Sequence, residues 1–149
     1  MRLALFQPEI PGNVGAVLRT CACLGVPLEL IEPLGFPWDD RRVRRSSMDY
    51  FDHVAINRHA GWDAFQASVP GRIVLMTARG SVPIGEARFE PDDVLLMGSE
   101  SAGAPDHVHG AAGMRVRIPI RTGLRSLNMS VAAGIALHEA LRQTGGLPF

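Results

Sequence analysis

The sequence predicts an α/β protein in which a mostly parallel β-sheet is flanked by helices. Short apolar runs alternate with helical patterns along the whole chain. Two of these runs, Arg72–Met76 and Val94–Met97, are almost continuously apolar, as is typical of strands buried on both faces. Strands that alternate with helices form βαβ units, and the strands of such units are parallel.

The first half of the chain predicts three strands and three helices. Asn13 is a plausible N-cap and Gly25 a plausible C′ residue for the first helix, because each type is favoured at that end. The second helix is short and charged, and follows a Pro- and Gly-rich connection. The predicted strands are Arg2–Phe6, Pro27–Ile31 and His53–Ile56, and the predicted helices are Asn13–Leu24, Asp39–Arg45 and Trp62–Val69.

The second half predicts three more strands, with a long helix at the end. The last strand carries interleaved arginines, and the final helical pattern is closed by Gly145 and Gly146. The predicted strands are Arg72–Met76, Val94–Met97 and Met114–Ile120, and the predicted helices are Pro105–Ala112 and Ser126–Gln143.

Length and composition fit one globular domain, residues 1–149. With 46% hydrophobic and 20% charged residues, intrinsic disorder is not expected. No apolar run reaches about 18 residues, so no membrane-spanning helix is expected. Cys21 and Cys23 are too few and too close for a disulfide framework, which favours the cytoplasm, and both are interpreted as core residues.

The charges are balanced in number but segregated along the chain. There are 15 Lys+Arg and 15 Asp+Glu, and every one of the basic residues is an arginine. Neither acid type occurs between Asp106 and Glu139. Segregation of this kind creates a local positive face, which indicates RNA or phosphate binding, although two solvated surface stretches would look the same. The two clusters are Arg41, Arg42, Arg44 and Arg45, and Arg115, Arg117, Arg121 and Arg125.

Several familiar kinds of site are excluded or weakly supported. A P-loop NTPase needs a lysine, and the chain has none. The loop Gln7–Gly12 lacks the glycine spacing of a dinucleotide site, which makes an oxidoreductase a weak alternative. Neither the cysteine pair nor His107 and His109 has the further ligands that a metal site needs, so no metal is expected.

Three places carry polar residues where function is more plausible. In parallel sheets ligands bind at the carboxyl ends of the strands, and Gly98–Gly103 follows a strand there. Glu100 in this loop either orients the loop or accepts a bond from a ligand. Arg19, in an apolar helical stretch, is either a structural ion pair or a phosphate-binding or catalytic arginine. Three small polar residues, Ser126, Asn128 and Ser130, lie at the start of the last predicted helix, where capping explains only one of them.

Together these segments resemble the SPOUT (α/β-knot) RNA methyltransferases, and within them the single-domain tRNA (cytidine(34)-2′-O)-methyltransferase family. The similarity runs over essentially the whole chain, and the motifs occur in the family's order. They are Glu9–Asn13 with Arg19-Thr20, Leu30–Phe36 with Trp38–Asp40, Arg44–Ser46 with Asp49-Tyr50, Gly98-x-Glu100-x-x-Gly103, Ile118-Pro119, and Arg125–Asn128 with Ser130.

The resemblance implies a C-terminal trefoil knot, a homodimer, and S-adenosyl-L-methionine as methyl donor to the ribose 2′-oxygen of the wobble nucleotide, cytidine or uridine 34. It gives Arg19 the catalytic role, and the partner would be the tRNA anticodon stem-loop. The implied cofactor-binding residues are Met76, Gly98, Glu100, Gly103, Ile118, Ser126 and Asn128. The arginines expected to contact RNA are Arg41, Arg42, Arg44, Arg45, Arg121 and Arg125.

The sequence departs from the family pattern at His138, where relatives usually carry tyrosine in the final helix. Two alternatives stay open at this point. One is a related methyltransferase that acts on another ribose of tRNA or rRNA, and the other is a non-catalytic RNA-binding module that keeps the fold.

Overall fold

The computed structural model describes residues 1–149 except the side chain of Ser46. Its strands form one sheet in the order β3-β2-β1-β6-β4-β7-β5, and each described pairing is parallel. The predicted α/β class with a parallel sheet is therefore confirmed. The strands are β1 (Arg2–Phe6), β2 (Leu28–Ile31), β3 (Ile56–His59), β4 (Ile73–Met76), β5 (Val82–Pro83), β6 (Val94–Met97) and β7 (Met114–Arg117).

Five α-helices and one 3₁₀ helix are described between and after the strands. Asp39 caps the second α-helix by accepting a hydrogen bond from the Arg41 N–H at 2.9 Å. In the described residues, no helix combines the length and apolar character needed to cross a membrane. The helices are α1 (Pro11–Leu24), α2 (Asp40–Ser47), α3 (Trp62–Ser68), α4 (Asp106–Ala111) and α5 (Met129–Thr144), and the 3₁₀ helix is Met48–His53.

The sheet has a hydrophobic core on each face. Successive strand residues point to opposite faces, so Leu3 and Leu5 of β1 enter one core while Ala4 and Phe6 enter the other. The first core also contains apolar residues of α1 and α5, and the second contains residues of α3 and α4. Helices therefore cover both faces, which is why the central strands β4 and β6 are apolar throughout.

The start of α1 differs from the prediction. The helix begins at Pro11 with Ile10 at the N-cap, so Asn13 lies inside the first turn and is not the cap. Proline suits the first helical position because its missing N–H would have no intrahelical partner. The predicted C′ residue is confirmed, since Gly25 follows the helix at φ 69°.

The other corrections concern the sheet edges and element ends. The strand predicted at His53–Ile56 is wrong: His53 ends the 3₁₀ helix, and β3 begins at Ile56. The last predicted strand ends at Arg117, so Ile118 lies in the following loop. The final helix begins at Met129, which leaves Ser126 outside it, and β5 was not predicted.

The two cysteines have different environments. Cys21 is buried in the core, and burial raises the pKa of its thiol to about 12. Cys23 is exposed, so its interpretation as a core residue is wrong. The C-terminal trefoil knot stays a prediction.

Candidate functional site

A cavity of about 880 Å³ lies at the carboxyl ends of three neighbouring strands. Its lining includes Met76 at the end of β4, Met97 at the end of β6 and Arg117 at the end of β7. The first turn of α1 and the start of α5 complete the wall. This position is where parallel α/β sheets bind ligands, and the volume is typical of a small-molecule site.

The cavity gathers all the residues expected to bind a cofactor. They come from the ends of β4 and β6 and from the segment between β7 and α5, which are far apart in sequence. Arg121 and Arg125, expected to contact RNA, lie on the same wall. The gathered residues are Met76, Gly98, Glu100, Gly103, Ile118, Ser126 and Asn128. Their individual roles stay predictions.

The lining suits the S-adenosyl-L-methionine that the sequence resemblance implies. Met76, Met97 and Ile118 offer apolar contact for an adenine ring and a methionyl chain. The half-buried to exposed loop Gly98–Gly103 and the exposed segment before α5 offer backbone hydrogen-bonding groups. The basic side chains of Arg79 and Arg117 on the same wall suit a carboxylate.

Glu100 joins two of the loops that form the cavity. Its Oε2 accepts a hydrogen bond from the Glu9 N–H at 2.7 Å, and its Oε1 accepts from the Ile10 N–H at 3.2 Å and from Asn13 Nδ2 at 3.4 Å. The carboxylate thus satisfies N–H groups that have no partner within α1 and complements the positive end of the helix. Both oxygens are engaged, which favours the loop-orienting alternative for Glu100.

A second glutamate makes the reverse connection. Glu9 Oε1 accepts hydrogen bonds from the Ser101 N–H at 3.0 Å and the Ser101 hydroxyl at 2.6 Å. The hydrogen bond from the Ser101 hydroxyl, followed by that from its N–H, lowers the pKa of the Glu9 carboxyl. Each loop therefore holds the other through a carboxylate, and we call the pair Glu9 and Glu100 the glutamate clasp.

Two asparagines connect the clasp to the last helix. Asn128 Nδ2 donates to Asn13 Oδ1 at 3.1 Å, across 115 residues of sequence. Asn128 Oδ1 also caps α5 by accepting from the N–H groups of Ser130 and Val131 at 2.9 and 3.3 Å. Asn128 was predicted from the sequence as a site residue, whereas the linking roles of Asn13, Glu9 and Ser101 were not. An Asn after Pro-Gly in the first turn of a helix was the available signal for Asn13.

Gly98 is needed where the clasped loop folds back on itself. The Ser99 N–H donates to the Gly103 carbonyl at 3.1 Å, and the Gly103 N–H donates to the Ser99 carbonyl at 3.0 Å. A Cβ on Gly98 would lie 2.6 Å from the Gly103 carbonyl carbon and 2.7 Å from the Ala104 nitrogen. Gly103 itself has φ 67°, which an L side chain rarely adopts.

Gly98→Ala is therefore expected to displace the loop and to weaken S-adenosyl-L-methionine binding at least about tenfold, because backbone rather than a flexible side chain must move. Calorimetric titration with the cofactor measures this. Gly110→Ala is the matched control: it lies in α4 with nothing within 4 Å of an added Cβ, so affinity should not change. Unchanged affinity in Gly98→Ala would contradict a ligand-binding role for this loop.

Two further basic residues, Arg117 and His109, also line the cavity. Arg117 Nη1 donates to the carbonyls of Gly80 and Ser81 at 2.9 and 3.0 Å, which holds the segment before β5 against β7. Burial and the nearby Arg79 lower the pKa of His109, with a smaller effect from Arg115 and against an opposing effect of Asp106. His109 is therefore favoured in its neutral form at neutral pH.

Arg19 lies outside the cavity wall, on an exposed part of α1. It is six residues after Asn13, or about 9 Å along the helix axis. Its Nη1 lies 3.2 Å from the sulfur of Met48, and its Cζ lies 5.1 Å from the centre of the Tyr50 ring. Among the described side chains, no carboxylate lies within 4.0 Å of its guanidinium, so the structural ion-pair alternative is not supported.

The arginines of α2 divide into two groups. Arg44 donates to Asp52 at 2.9 Å, which raises the pKa of Arg44, and its guanidinium lies 4.2 Å from the Phe51 ring. Arg41, Arg42 and Arg45 are exposed, and Arg41 and Arg45 lie on the face opposite the buried Val43. The second group presents a positive surface, whereas Arg44 is already paired. In the described part of the chain, no group of three or more His, Cys, Asp or Glu could hold a metal ion.

Solved structures similar to this chain indicate the class of protein. A structure described as giving insights into the 2-OH methylation of C/U34 on tRNA is 44% identical, with a TM-score of 0.91, and the alignment covers 95% of this chain and 94% of that one. An AdoMet-bound rRNA methyltransferase of Sinorhizobium meliloti is 32% identical with a TM-score of 0.85, covering 95% of this chain and 55% of that one. The fold and the site therefore define an RNA methyltransferase of the α/β type.

The family follows from the sequence as well. The model of the SpoU rRNA methylase family matches residues 1–138, and the chain belongs to this family. A tRNA (cytidine(34)-2′-O)-methyltransferase of Beijerinckia indica is 53% identical over 97% of this chain and 92% of that protein. One of Escherichia coli K12 is 38% identical over 97% of this chain and 94% of that protein.

Proposed function

We propose that this protein methylates the ribose 2′-oxygen of nucleotide 34, cytidine or uridine, in tRNA, with S-adenosyl-L-methionine as methyl donor. The observation that carries the proposal is the cavity at the carboxyl ends of β4, β6 and β7, which brings together seven expected cofactor-binding residues. Relatives that align over nearly their whole length carry this activity in their names, and the similar solved structure concerns the same nucleotide.

The chain's own residues supply orientation rather than a strong base. When bound, S-adenosyl-L-methionine supplies an electrophilic methyl group on a sulfonium. A ribose hydroxyl is a poor nucleophile at neutral pH, so it needs alignment and help in losing its proton. Arg19 does not accept that proton, because an arginine guanidinium already carries its full set of protons in proteins. Its N–H groups instead orient the ribose and phosphate and favour the developing negative charge on the 2′-oxygen. As the bond from the 2′-oxygen to the methyl carbon forms, the bond from sulfur to that carbon would break and S-adenosyl-L-homocysteine would leave, while the hydroxyl proton would pass to the substrate phosphate or to water.

Methyl transfer from labelled cofactor to bulk tRNA, mapped by nuclease digestion, tests the proposed function. We expect one 2′-O-methylated nucleotide at position 34. Label at another ribose would favour the related methyltransferase alternative. Failure to bind the cofactor, together with retained tRNA binding, would favour the non-catalytic module.

The exposed arginines of α2 are proposed to contact the tRNA backbone. Arg41 and Arg45 are four residues apart and therefore adjacent on the helix surface, with Arg42 beside them. Arginine suits this contact because its planar fork binds phosphate with two hydrogen bonds. Arg121 and Arg125, on the cavity wall, would extend the positive surface to the reaction site.

A triple variant with glutamine in place of Arg41, Arg42 and Arg45 is expected to bind tRNA more weakly. The slope of log K against log salt concentration should become less steep by about 2 to 3, about one unit for each lost phosphate contact. Filter binding at several salt concentrations measures both quantities. Arg44→Gln is the matched control, and its effect should be much smaller because Arg44 is paired with Asp52. Equal effects of the two variants would show that pairing with Asp52 does not distinguish Arg44 from the other three arginines of α2 in tRNA binding.

We also propose a homodimer that uses an exposed apolar row on α5. Val131 and Ile135 are 51% and 40% exposed, and they are four residues apart on one face of the helix. Leu124 and Leu127, in the segment before α5, are also exposed. Exposed apolar residues in one row indicate an interaction surface. His138 continues this row, so its departure from the family pattern bears on the dimer.

Ile135→Asp is expected to convert the dimer to a monomer, because a charge would be buried without a partner in the interface. Sedimentation or light scattering measures the change in mass. Ala64→Asp, on the exposed side of α3, is the control and should keep the wild-type mass. A wild-type monomer would refute the proposed dimer without affecting the proposed chemistry.

Compartment and domain organisation complete the proposal. We infer action in the cytoplasm, which is supported by the tRNA substrate and by the two free cysteines. We infer that residues 1–149 act as one SPOUT methyltransferase domain, since strands from both halves of the sequence share one sheet.

A further inference from the structure

The 3₁₀ helix Met48–His53 packs against α1 beside Arg19 and provides both of that side chain's described contacts. Tyr50 presents its ring to the guanidinium, with 5.1 Å between Cζ and the ring centre. Met48 presents its sulfur 3.2 Å from Nη1. Arg19 is exposed, so without these contacts its long side chain would sample many rotamers.

Neither contact uses much of the hydrogen-bonding capacity of Arg19. The face of an aromatic ring attracts the guanidinium cation without accepting a hydrogen bond from its N–H groups. A thioether sulfur is a weak acceptor and engages a single N–H. The remaining N–H groups of the five-donor fork therefore stay available for oxygen atoms of a substrate. A carboxylate partner would have occupied the fork instead.

The neighbouring pair in the same 3₁₀ helix shows that contrast. Phe51 presents its ring to Arg44 at 4.2 Å, but Asp52 also accepts a hydrogen bond from that arginine at 2.9 Å. Two consecutive aromatic residues thus each hold one arginine. The charge of Arg44 is neutralised by Asp52. The charge of Arg19, by contrast, has no described carboxylate within 4.0 Å, although its guanidinium also lies against an aromatic ring.

The backbone at Met48 is a second, independent observation. Met48 has φ 56° and ψ −128°, an uncommon conformation for a non-glycine residue. It forms the junction between α2 and the 3₁₀ helix, directly after the buried Ser47. Conformations of this kind persist only where surrounding structure holds them, and they concentrate at functional sites.

We propose that Tyr50 and Met48 are positioning residues that hold the Arg19 guanidinium in place for the ribose and phosphate of the substrate, while leaving its N–H fork free. This inference rests on the proposed function and on the role of Arg19 within it. Tyr50 fixes the plane of the guanidinium, and Met48 fixes its rotation by accepting from Nη1.

Kinetic analysis of Tyr50→Phe and Tyr50→Leu with saturating tRNA tests the proposal. Tyr50→Leu removes the ring and is expected to lower kcat about tenfold, because small displacements of a positioning group have large kinetic effects. Tyr50→Phe keeps the ring and should keep kcat within about twofold. The KM for S-adenosyl-L-methionine should not change in either variant, since Tyr50 does not line the cavity. Phe51→Leu is the matched control for lost packing in the same helix and should keep kcat.

A double-variant comparison separates positioning from general stability. If Tyr50 acts through Arg19, then Tyr50→Leu should cause no further loss of kcat in an Arg19→Ala background. An additional loss of about tenfold in that background would overturn the proposal. NMR of the Arg19 Nε–H group provides a readout without activity: the ring of Tyr50 should shift this signal, and the shift should persist in Tyr50→Phe and disappear in Tyr50→Leu.

The outcomes also distinguish this proposal from the proposed function. If the wild type fails to methylate tRNA, the proposed function fails, and the NMR comparison still decides whether Tyr50 holds Arg19. If the wild type is active and Arg19→Ala is not, but Tyr50→Leu matches the wild type, the function stands and the positioning role is wrong.

Discussion

Arg19→Ala is expected to lower kcat for tRNA methylation by about 10²- to 10³-fold, the effect typical of losing a group that stabilises developing charge on an oxygen. The guanidinium is exposed and keeps most of its donors free, so it is available to a ribose–phosphate. Arg19→Lys should recover little activity, because an ammonium keeps the charge but loses the planar fork and its stacking on Tyr50.

The binding of cofactor provides the internal control for this variant. Arg19 does not line the cavity, so the dissociation constant for S-adenosyl-L-methionine should stay at the wild-type value. Arg88→Ala, at another exposed arginine, should leave both kcat and cofactor binding unchanged. An Arg19→Ala variant with more than about a tenth of wild-type kcat would remove Arg19 from the chemistry.

Among substitutions at the cavity, Glu100→Ala is expected to disturb the structure of the site most. It leaves the N–H groups of Glu9 and Ile10 and the amide of Asn13 without their acceptor. We expect the free energy of unfolding to fall by about 2 kcal/mol, the range for hydrogen bonds to a charged group that water can partly replace. Urea denaturation measures this. Cofactor affinity should fall at least about tenfold, because the loop Gly98–Gly103 would lose its attachment to α1.

Glu100→Gln and Glu9→Gln refine the interpretation. The amide of Glu100→Gln keeps one acceptor but points an NH₂ group at backbone donors, so it should resemble Glu100→Ala. Glu9→Gln should have a smaller effect, because its bonds to Ser101 are exposed. The lowered pKa of Glu9 means that its contribution is present at neutral pH and is lost as the pH falls below the usual carboxyl range. Wild-type cofactor affinity in Glu100→Ala would contradict the loop-orienting role.

Strands with buried neighbours on both sides were predictable from sequence. Arg2–Phe6 and Val94–Met97 have the predicted bounds, because β6 is apolar at every position and β1 at every position after Arg2, as is typical of central strands covered by helices on both faces. The edge strands were not predictable in the same way. β3 has two adjacent exposed residues between half-buried ends and has only β2 beside it, and β5 has two residues, one of them proline.

The residues of the candidate site could be predicted from the sequence, but the hydrogen bonds that join them could not. The motif residues could be selected from the sequence, and the structure places seven of them on one cavity wall. The bonds between Glu9 and Ser101 and between Asn13 and Asn128 join segments that no local pattern relates. Arg19 shows the same limit: its helix was predicted, but its contact with Tyr50 depends on how α1 packs against the 3₁₀ helix.

The hydrogen bond between Asn13 and Asn128 affects when the cavity can form during synthesis of the chain. A ribosome completes the first turn of α1 early, but the partner of Asn13 in that turn is 115 positions later. A nascent chain that ends before Asn128 would contain every strand of the sheet and still lack the closing wall of the cavity. The distant pairing also predicts slow folding, since such contacts form only after long segments of chain have been ordered. The enzyme is therefore expected to acquire ligand binding only after the start of α5 has been synthesised and has packed against α1.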